Sequence, residues 1–400
     1  MDFEVDRRDF RRTRIVAGRR TSLSPGQIRL AIERFALTTN NVTYAVVGDM
    51  LDYWGFFPTE ALWGRLPAMG LGSVVESAHP DIAAGGRYFG FYPMSSDVVI
   101  TAEPLSSTAA SHPERVRSAD AIAFRDVGPH RAQHAATYTD FRDVATDAMF
   151  NPDKADEFLL LWGMFMTSFL VDDYLGDADA EGGVFRGAGQ TLITSASSKT
   201  SICLAACLAR REGHHSIGVT SPRNRSFVED LGLYDEVITY DEIDRTDGRV
   251  ASGLVDMAGS GPVRSAIHTH LADNLKFSIA VGATHWEEMG GDSDLPGPRP
   301  EFFFAPSQSA KRARDWGPDE LANRIARAFH DLLDHTERWL TVVHRTGPDG
   351  IEATYRELLE GLADPAIGYV CSMSETSPPR LRRSTSARPK TGPHVAPAGR

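Results

Sequence analysis

Residues 195–201, Ser-Ala-Ser-Ser-Lys-Thr-Ser, place a serine at every third position and a lysine between the last two. They join an apolar run, QTLITS (190–195), to a run of small residues, KTSICLAACLARR (199–211). A turn that leaves a buried strand and opens a helix presents free backbone N–H groups and the positive end of the helix dipole, and both favour a phosphate. Glycines are usual there: they allow the tight turn, the approach of a pyrophosphate and close strand–helix packing. Serine is the next smallest polar residue, and its hydroxyl can donate to phosphate. Two readings stay open. Ser195, Ser197, Ser198, Lys199, Thr200 and Ser201 form a phosphate cradle, or they form a plain strand-to-helix turn. A P-loop would need glycine directly before the lysine and another five residues earlier. Those positions hold Ser198 and Ile193.

A second segment bears on the same chemistry. About twenty residues on, a site for NAD would place Asp or Glu to hold the ribose hydroxyls. Thr220-Ser-Pro-Arg-Asn-Arg225 has no carboxylate. Two arginines, Arg223 and Arg225, and the Ser221 hydroxyl suit a 2′-phosphate instead, and so NADP, with Asn224 among the candidate cofactor contacts, unless the arginines only decorate a solvated helix start. Two further runs end in small residues, Ala258-Gly259-Ser260 and Gly282-Ala283-Thr284. Gly259, Gly282, Ala283 and Thr284 would leave room for a flat cofactor at the carboxyl ends of strands. Asp49 and Asp52 read as solvated turn residues, or as carboxylates near a cleft that could bind a polar substrate, and His268 and His270 as the surface of a helix. His285 reads as a hydrogen-bonded structural histidine, or as a neighbour of the nicotinamide.

These residues need a scaffold, and the chain supplies one from residue 190 onward. QTLITS, HSIGVT (215–220), DEVITY (235–240), GLVDMAG (253–259) and LKFSIAVGA (275–283) read as strands. Helical stretches over 199–211, 222–232 and 261–274 separate most of them. Such alternation predicts an α/β fold, a doubly wound parallel sheet of Rossmann type with right-handed crossovers. Residues 25–150 carry short turn-bounded runs, Val42–Val47, Gly72–Glu76, Tyr88–Tyr92 and Asp97–Thr101, which read as strands of a β-rich domain. Residues 109–135 read as loop or marginal helix. Residues 155–175 and, later, 318–334 and 349–362 read as helices.

A chain of 400 residues is expected to form two domains. The net charge of −12 argues against a nucleic-acid partner. The apolar stretch Phe158–Val171 falls short of the roughly 20 residues of a membrane span, so a buried helix and no membrane partner are expected. With no apolar leader at 1–20 and three unpaired-looking cysteines, Cys203, Cys207 and Cys371, a cytoplasmic location is expected. Residues 376–400 carry six Lys/Arg and no acid, and read as a disordered basic tail.

The runs ALTTNNVTYAVVGDMLDYWGFFP (36–58), WGRLPAMGLGSVVES (63–77), GGRYFGFYPMSS (85–96), GVTSPRNRSFVEDLGLYDEVITYD (218–241), VDMAGS (255–260) and VGATHWE (281–287), with the serine loop, form a set. In it the sequence resembles the medium-chain dehydrogenase/reductase superfamily, in its zinc-free, quinone-oxidoreductase-like part. It is most similar there to a family known as a domain of unknown function. The resemblance implies a GroES-like substrate domain over 1–150 and a Rossmann domain over 151–290. A C-terminal segment, 291–375, would return to the substrate domain. It implies an active site in the cleft between the two domains, NADP as cofactor, a small-molecule substrate and a homodimer. Ser195 to Ser201 would cradle the pyrophosphate, Ser221 and Arg223 the 2′-phosphate. Tyr44 or Tyr53 would supply the catalytic hydrogen bond from the cleft-lining segment; the alternative is packing with Trp54, Phe56 and Phe57. The expected function is hydride transfer to an activated double bond, quinone or carbonyl without zinc. The second expectation is a catalytically inactive dinucleotide-binding sensor or scaffold.

Overall fold

The structure, a computed structural model, describes residues 1–18, 20–105, 121–179, 182–281 and 295–375. Its second half is organised by strands that are buried on both faces. Gln190–Thr194 (labelled β10 in chain order) and Ser252–Asp256 (β13) are buried at every position, as strands covered by helices on both sides must be. With His215–Thr220 (β11), Glu236–Thr239 (β12), Leu275–Ala280 (β14) and Glu301–Phe302 (β15) they form one six-stranded parallel sheet. Its order is β12-β11-β10-β13-β14-β15, the doubly wound dinucleotide-binding order with its switch point between β10 and β13. The crossover helices are Lys199–Leu208 (α4), Arg225–Asp230 (α5) and Gly261–Leu271 (α6).

The first half is a curved antiparallel structure. Gln27–Leu37 (β3), Pro67–Ser77 (β5), Gly85–Pro93 (β6), Asp97–Pro104 (β7), Ile122–Asp126 (β8) and Asp140–Asp143 (β9) share an eight-stranded sheet with Thr341–Thr346 (β16) and Ile367–Ser372 (β17). The order is β16-β17-β3-β5-β6-β9-β8-β7, and β3 also pairs with β7, which closes the sheet on itself. A small sheet of Asp2–Asp6 (β1), Thr13–Val16 (β2) and Trp63–Gly64 (β4) lies beside it. The chain therefore has a GroES-like β domain and a Rossmann domain.

Ala155–Leu175 (α3) joins them. It is apolar on all sides, as a helix enclosed by protein should be, and packs against β3, β5 and β17 as well as α4. Gly368 of β17 is needed for this: a side chain there would strike Leu160 at 2.5 Å. Among the described residues this is the one helix long and apolar enough to cross a membrane, and 56% of its most apolar window is buried inside the protein.

Several expectations are corrected. Residues 42–46 are not a strand but the second half of the helix Thr39–Val46 (α1), with Val47 as its C-cap. A capping box starts it: the Thr38 N–H donates to Asn41 Oδ1 at 2.7 Å. Residues 122–126 form β8, and a short helix, Ala136–Thr139 (α2), follows. The return to the N-terminal domain comes later than residue 291. β15 extends the parallel sheet, and Ala305–Trp316 (α7) and Pro318–Thr336 (α8) pack on α3. Only β16, Gly347–Leu359 (α9) and β17 rejoin the first domain. The basic segment 376–400 lies outside the described residues.

Candidate active site

The serine loop leaves β10 at the switch point. Ser195 adopts a left-handed backbone, φ 53°, the conformation that glycine takes most readily. Its N–H donates to the Tyr240 hydroxyl at 3.2 Å. Ala196 is fully buried, and its carbonyl accepts from the Tyr234 hydroxyl at 3.0 Å. Ser198 is the N-cap of α4: its Oγ accepts from the Ser201 N–H at 3.2 Å and donates to Ser201 Oγ at 2.9 Å. Ser201 Oγ in turn donates to the Thr194 carbonyl at 3.0 Å. The hydroxyls of Ser198 and Ser201 thus hold the turn together. Ser197 Oγ accepts from Asn224 Nδ2 at 2.9 Å, which ties the turn after β11 to the turn after β10.

Lys199 departs most from expectation. Its Nζ does not turn toward the loop but donates to the carbonyls of Ile367, at 2.7 Å, and Pro365, at 3.3 Å. Burial of the amine pushes its pKa down to about 8, against partial support from Cys203 and Asp364. What the loop keeps for an anion are the first N–H groups of α4, on Lys199 and Thr200, which have no partner within the helix. The Tyr240 hydroxyl adds to these: it accepts from Ser195 and so keeps its own proton to donate.

In the neighbouring turn Ser221 is half-buried and Arg223 exposed, while Arg225 is bound to Glu242 at 2.7 Å and Glu229 at 2.8 Å. Among the described residues Arg223 has no carboxylate partner. Across the switch point, Asp256 is buried. It accepts from Thr194 Oγ1 at 2.7 Å and from the N–H groups of Ala258 and Gly259, and pairs with Arg264 at 3.0 Å. Gly259 follows with φ 65° and open space beside it. Gly282, Ala283 and Thr284, and with them His285, lie outside the described residues.

The two tyrosines come together on the other domain. Tyr44 and Tyr53 stack with centroids 4.2 Å apart, 8% and 9% exposed. Tyr44 Oη accepts from Asn40 Nδ2 at 2.7 Å, and the Tyr53 and Tyr138 hydroxyls lie 3.4 Å apart. Burial pushes both Tyr44 and Tyr53 far above the usual phenol range. They keep their protons at all physiological pH and can act as donors, not as ionising acids. Tyr138, His134 and Tyr240 were missed in the sequence. Only Tyr240 carried a signal, standing directly after the third strand of the alternating region. Asp52 pairs with His134 at 3.0 Å from a left-handed backbone, φ 57°, and Asp49 contacts Arg7.

The expected surface histidine is also corrected. His268 is fully buried: its Nδ1 is 2.8 Å from the Pro296 carbonyl and its Nε2 2.9 Å from Ser278 Oγ, because this face of α6 packs on the sheet. His270 bonds the Thr246 carbonyl at 2.8 Å. Cys203, Cys207 and Cys371 are buried free thiols, each raised by burial. Among the described residues no three His, Cys, Asp or Glu side chains are grouped to hold a metal ion.

The fold has known counterparts. CurA from Vibrio vulnificus is similar over 91% of this chain and 94% of its own, with a TM-score of 0.53 at 12% identity. A second CurA structure, in complex with NADPH, matches over 91% and 95%, with a TM-score of 0.52 at 11% identity. The yhdH oxidoreductase from Salmonella enterica, in complex with NADP, matches over 93% and 99%, with a TM-score of 0.50 at 12% identity. No curated protein matches the sequence. Residues 35–364 match the family described as "Protein of unknown function (DUF2855)". With that match over most of its length, the chain belongs to the DUF2855 family.

Proposed function

We propose that the protein binds NADPH at the carboxyl ends of β10, β11 and β13, and reduces an activated double bond, quinone or carbonyl of a small molecule. The observation that carries this reading is Arg223. It is exposed at the end of the second strand, where an NAD site would hold a carboxylate, while the neighbouring Arg225 is committed to Glu229 and Glu242. Two of the matched folds were solved with NADPH or NADP.

The residues present fit the cofactor. The Lys199 and Thr200 N–H groups at the start of α4 would face the pyrophosphate, with the Tyr240 hydroxyl beside them. Ser221 and Arg223 would hold the 2′-phosphate, and Gly259 would leave the backbone open along the ring's path. The cofactor, when bound, supplies a hydride. A protonated Tyr53, paired with Tyr138, would stabilise the oxygen that gains charge as the substrate is reduced. Zinc plays no part in this reading, and the active unit is proposed as a homodimer in the cytoplasm.

A second reading, a dinucleotide-binding sensor without turnover, draws on the serine loop. Its Ser195 N–H, Ser197, Ser198 and Ser201 already have partners within the protein. Titration with NADPH and NADH, followed by nicotinamide fluorescence, tests both. Binding of NADPH in preference to NADH, weakened in Arg223→Ala, is expected. Turnover with a quinone panel then separates reductase from sensor. Failure to bind either nucleotide overturns both readings.

A further inference from the structure

Lys199 stands in two places at once. Its backbone N–H is the first of α4, at the base of the loop that would take the pyrophosphate. Its side chain crosses to the other domain and grips the carbonyls of Pro365 and Ile367. Ile367 is the first residue of β17. In that strand Tyr369 pairs with Leu37, the last residue of β3. Immediately beyond Leu37, Thr38 caps α1, the helix that carries Asn40 and Tyr44. A single residue thus connects the phosphate loop, through one strand pair, to the helix that bears the tyrosine wall.

The connection is chemically directed. A plain space-filling contact would be met by Leu or Met, and a solvated lysine would leave its amine in water. Here the amine donates to two backbone carbonyls at the entry to β17, closely to Ile367 at 2.7 Å, a normal charge-assisted distance, and more loosely to Pro365 at 3.3 Å. Among the described residues, no carboxylate lies within ion-pair distance of this amine. Its grip is therefore on backbone position and not on a neighbouring charge. Cys203, one turn further along α4, is buried beneath it and is held in its thiol form by burial.

We propose that Lys199 is a positioning residue that couples occupancy of the phosphate cradle to the seating of segments 36–44 and 365–372 of the first domain. This rests on the NADPH reading of the cradle. A phosphate drawn against the start of α4 fixes the Lys199 backbone. The side chain transmits that constraint to Ile367, and the β17–β3 pairing carries it to α1.

Hydrogen exchange read by mass spectrometry on the full chain tests the proposal, with and without saturating NADPH, in wild type and Lys199→Met. In wild type, NADPH should slow exchange over 36–44 and 365–372 as well as at the serine loop. Without ligand, Lys199→Met should exchange about tenfold faster over 365–372, the scale of one lost charge-assisted hydrogen bond. The variant should still bind NADPH, yet bound NADPH should protect only the serine loop. Thermal unfolding of the variant checks that it folds. If it does not, the wild-type comparison stands alone: NADPH that binds without protecting 36–44 and 365–372 overturns the coupling. A folded Lys199→Met protein whose segments 36–44 and 365–372 are still protected by NADPH also overturns it. Wild type that does not bind NADPH overturns the functional reading and the coupling together, whereas the other two results leave the functional reading intact.

Discussion

The serine loop brings five hydroxyls into seven consecutive residues, whereas the tyrosine wall pairs hydroxyls that lie 85 residues apart in the chain. In the loop, hydroxyls are spent locally. Ser198 caps an N–H three residues on, and Ser201 returns a bond to Thr194. In the wall, the rings of Tyr44, Tyr53, Phe56 and Tyr138 pack against one another, and the hydroxyls of Tyr44 and Tyr53 are partnered by Asn40 and Tyr138. The first region uses hydrogen bonds to hold a backbone shape. The second uses apolar burial to hold hydroxyls protonated. On the proposed reading the two would divide the labour of one site: the loop would offer backbone N–H groups to an anion, and the tyrosines neutral O–H donors to a developing negative charge.

Substitutions can break this division, and the largest effect is expected beneath the loop. Asp256→Ala removes the acceptor shared by Thr194, Ala258, Gly259 and Arg264, and strips the buried guanidinium of its carboxylate. A loss of about 3–5 kcal/mol in denaturant unfolding is expected. Arg223→Ala should leave stability within about 0.5 kcal/mol of wild type, since the side chain is exposed. It should weaken NADPH binding by about ten- to a hundredfold in fluorescence titration and leave NADH binding unchanged. Lys199 sharpens the loop's side of the comparison through pH. Its folded pKa, about 8, lies below the ordinary lysine value. Between about pH 8 and about pH 10.4 the unfolded chain binds a proton that the folded chain has released, so stability should rise with pH across that window. Relative to Lys199→Met, the rise in unfolding free energy should be on the order of 1–2 kcal/mol, after allowing for the partial exposure of the residue. Ser198→Ala should cost about 1 kcal/mol by loss of the cap. Tyr53→Phe should be the mildest in stability, below about 1 kcal/mol. If Tyr53 donates to the substrate, kcat with a reducible substrate should still fall.

The parallel sheet was legible because its strands are buried on both faces and therefore read as short uniform runs between helices. The N-terminal domain was less so. Val42, Thr43, Val46 and Val47 are β-branched and suggested a strand, yet Thr38 and Asn41 stand at capping-box spacing and start a helix instead. α7 escaped because it is strongly polar, burying only Gln308 and Arg312. Within the site, the serine loop itself was visible, but its partners come from other turns. Tyr240, Tyr234 and Asn224 lie 45, 38 and 27 residues away from the groups they bond. The direction of Lys199 depends on residues more than 160 positions later. No local pattern carries such contacts.

The place of β17 also governs how this chain can be made. The strand inserts between β16 and β3, so the edge of β3 at Phe35–Leu37 gains its partner only when residues 369–371 arrive. During synthesis at about 5–20 residues per second, that edge waits some tens of seconds. The Rossmann sheet, complete once Glu301–Phe302 has emerged, can close well before. The first domain begun is therefore the last finished. Truncation just before Ile367 should leave a folded second half attached to a first half with a bare strand edge, a form prone to pair with other chains.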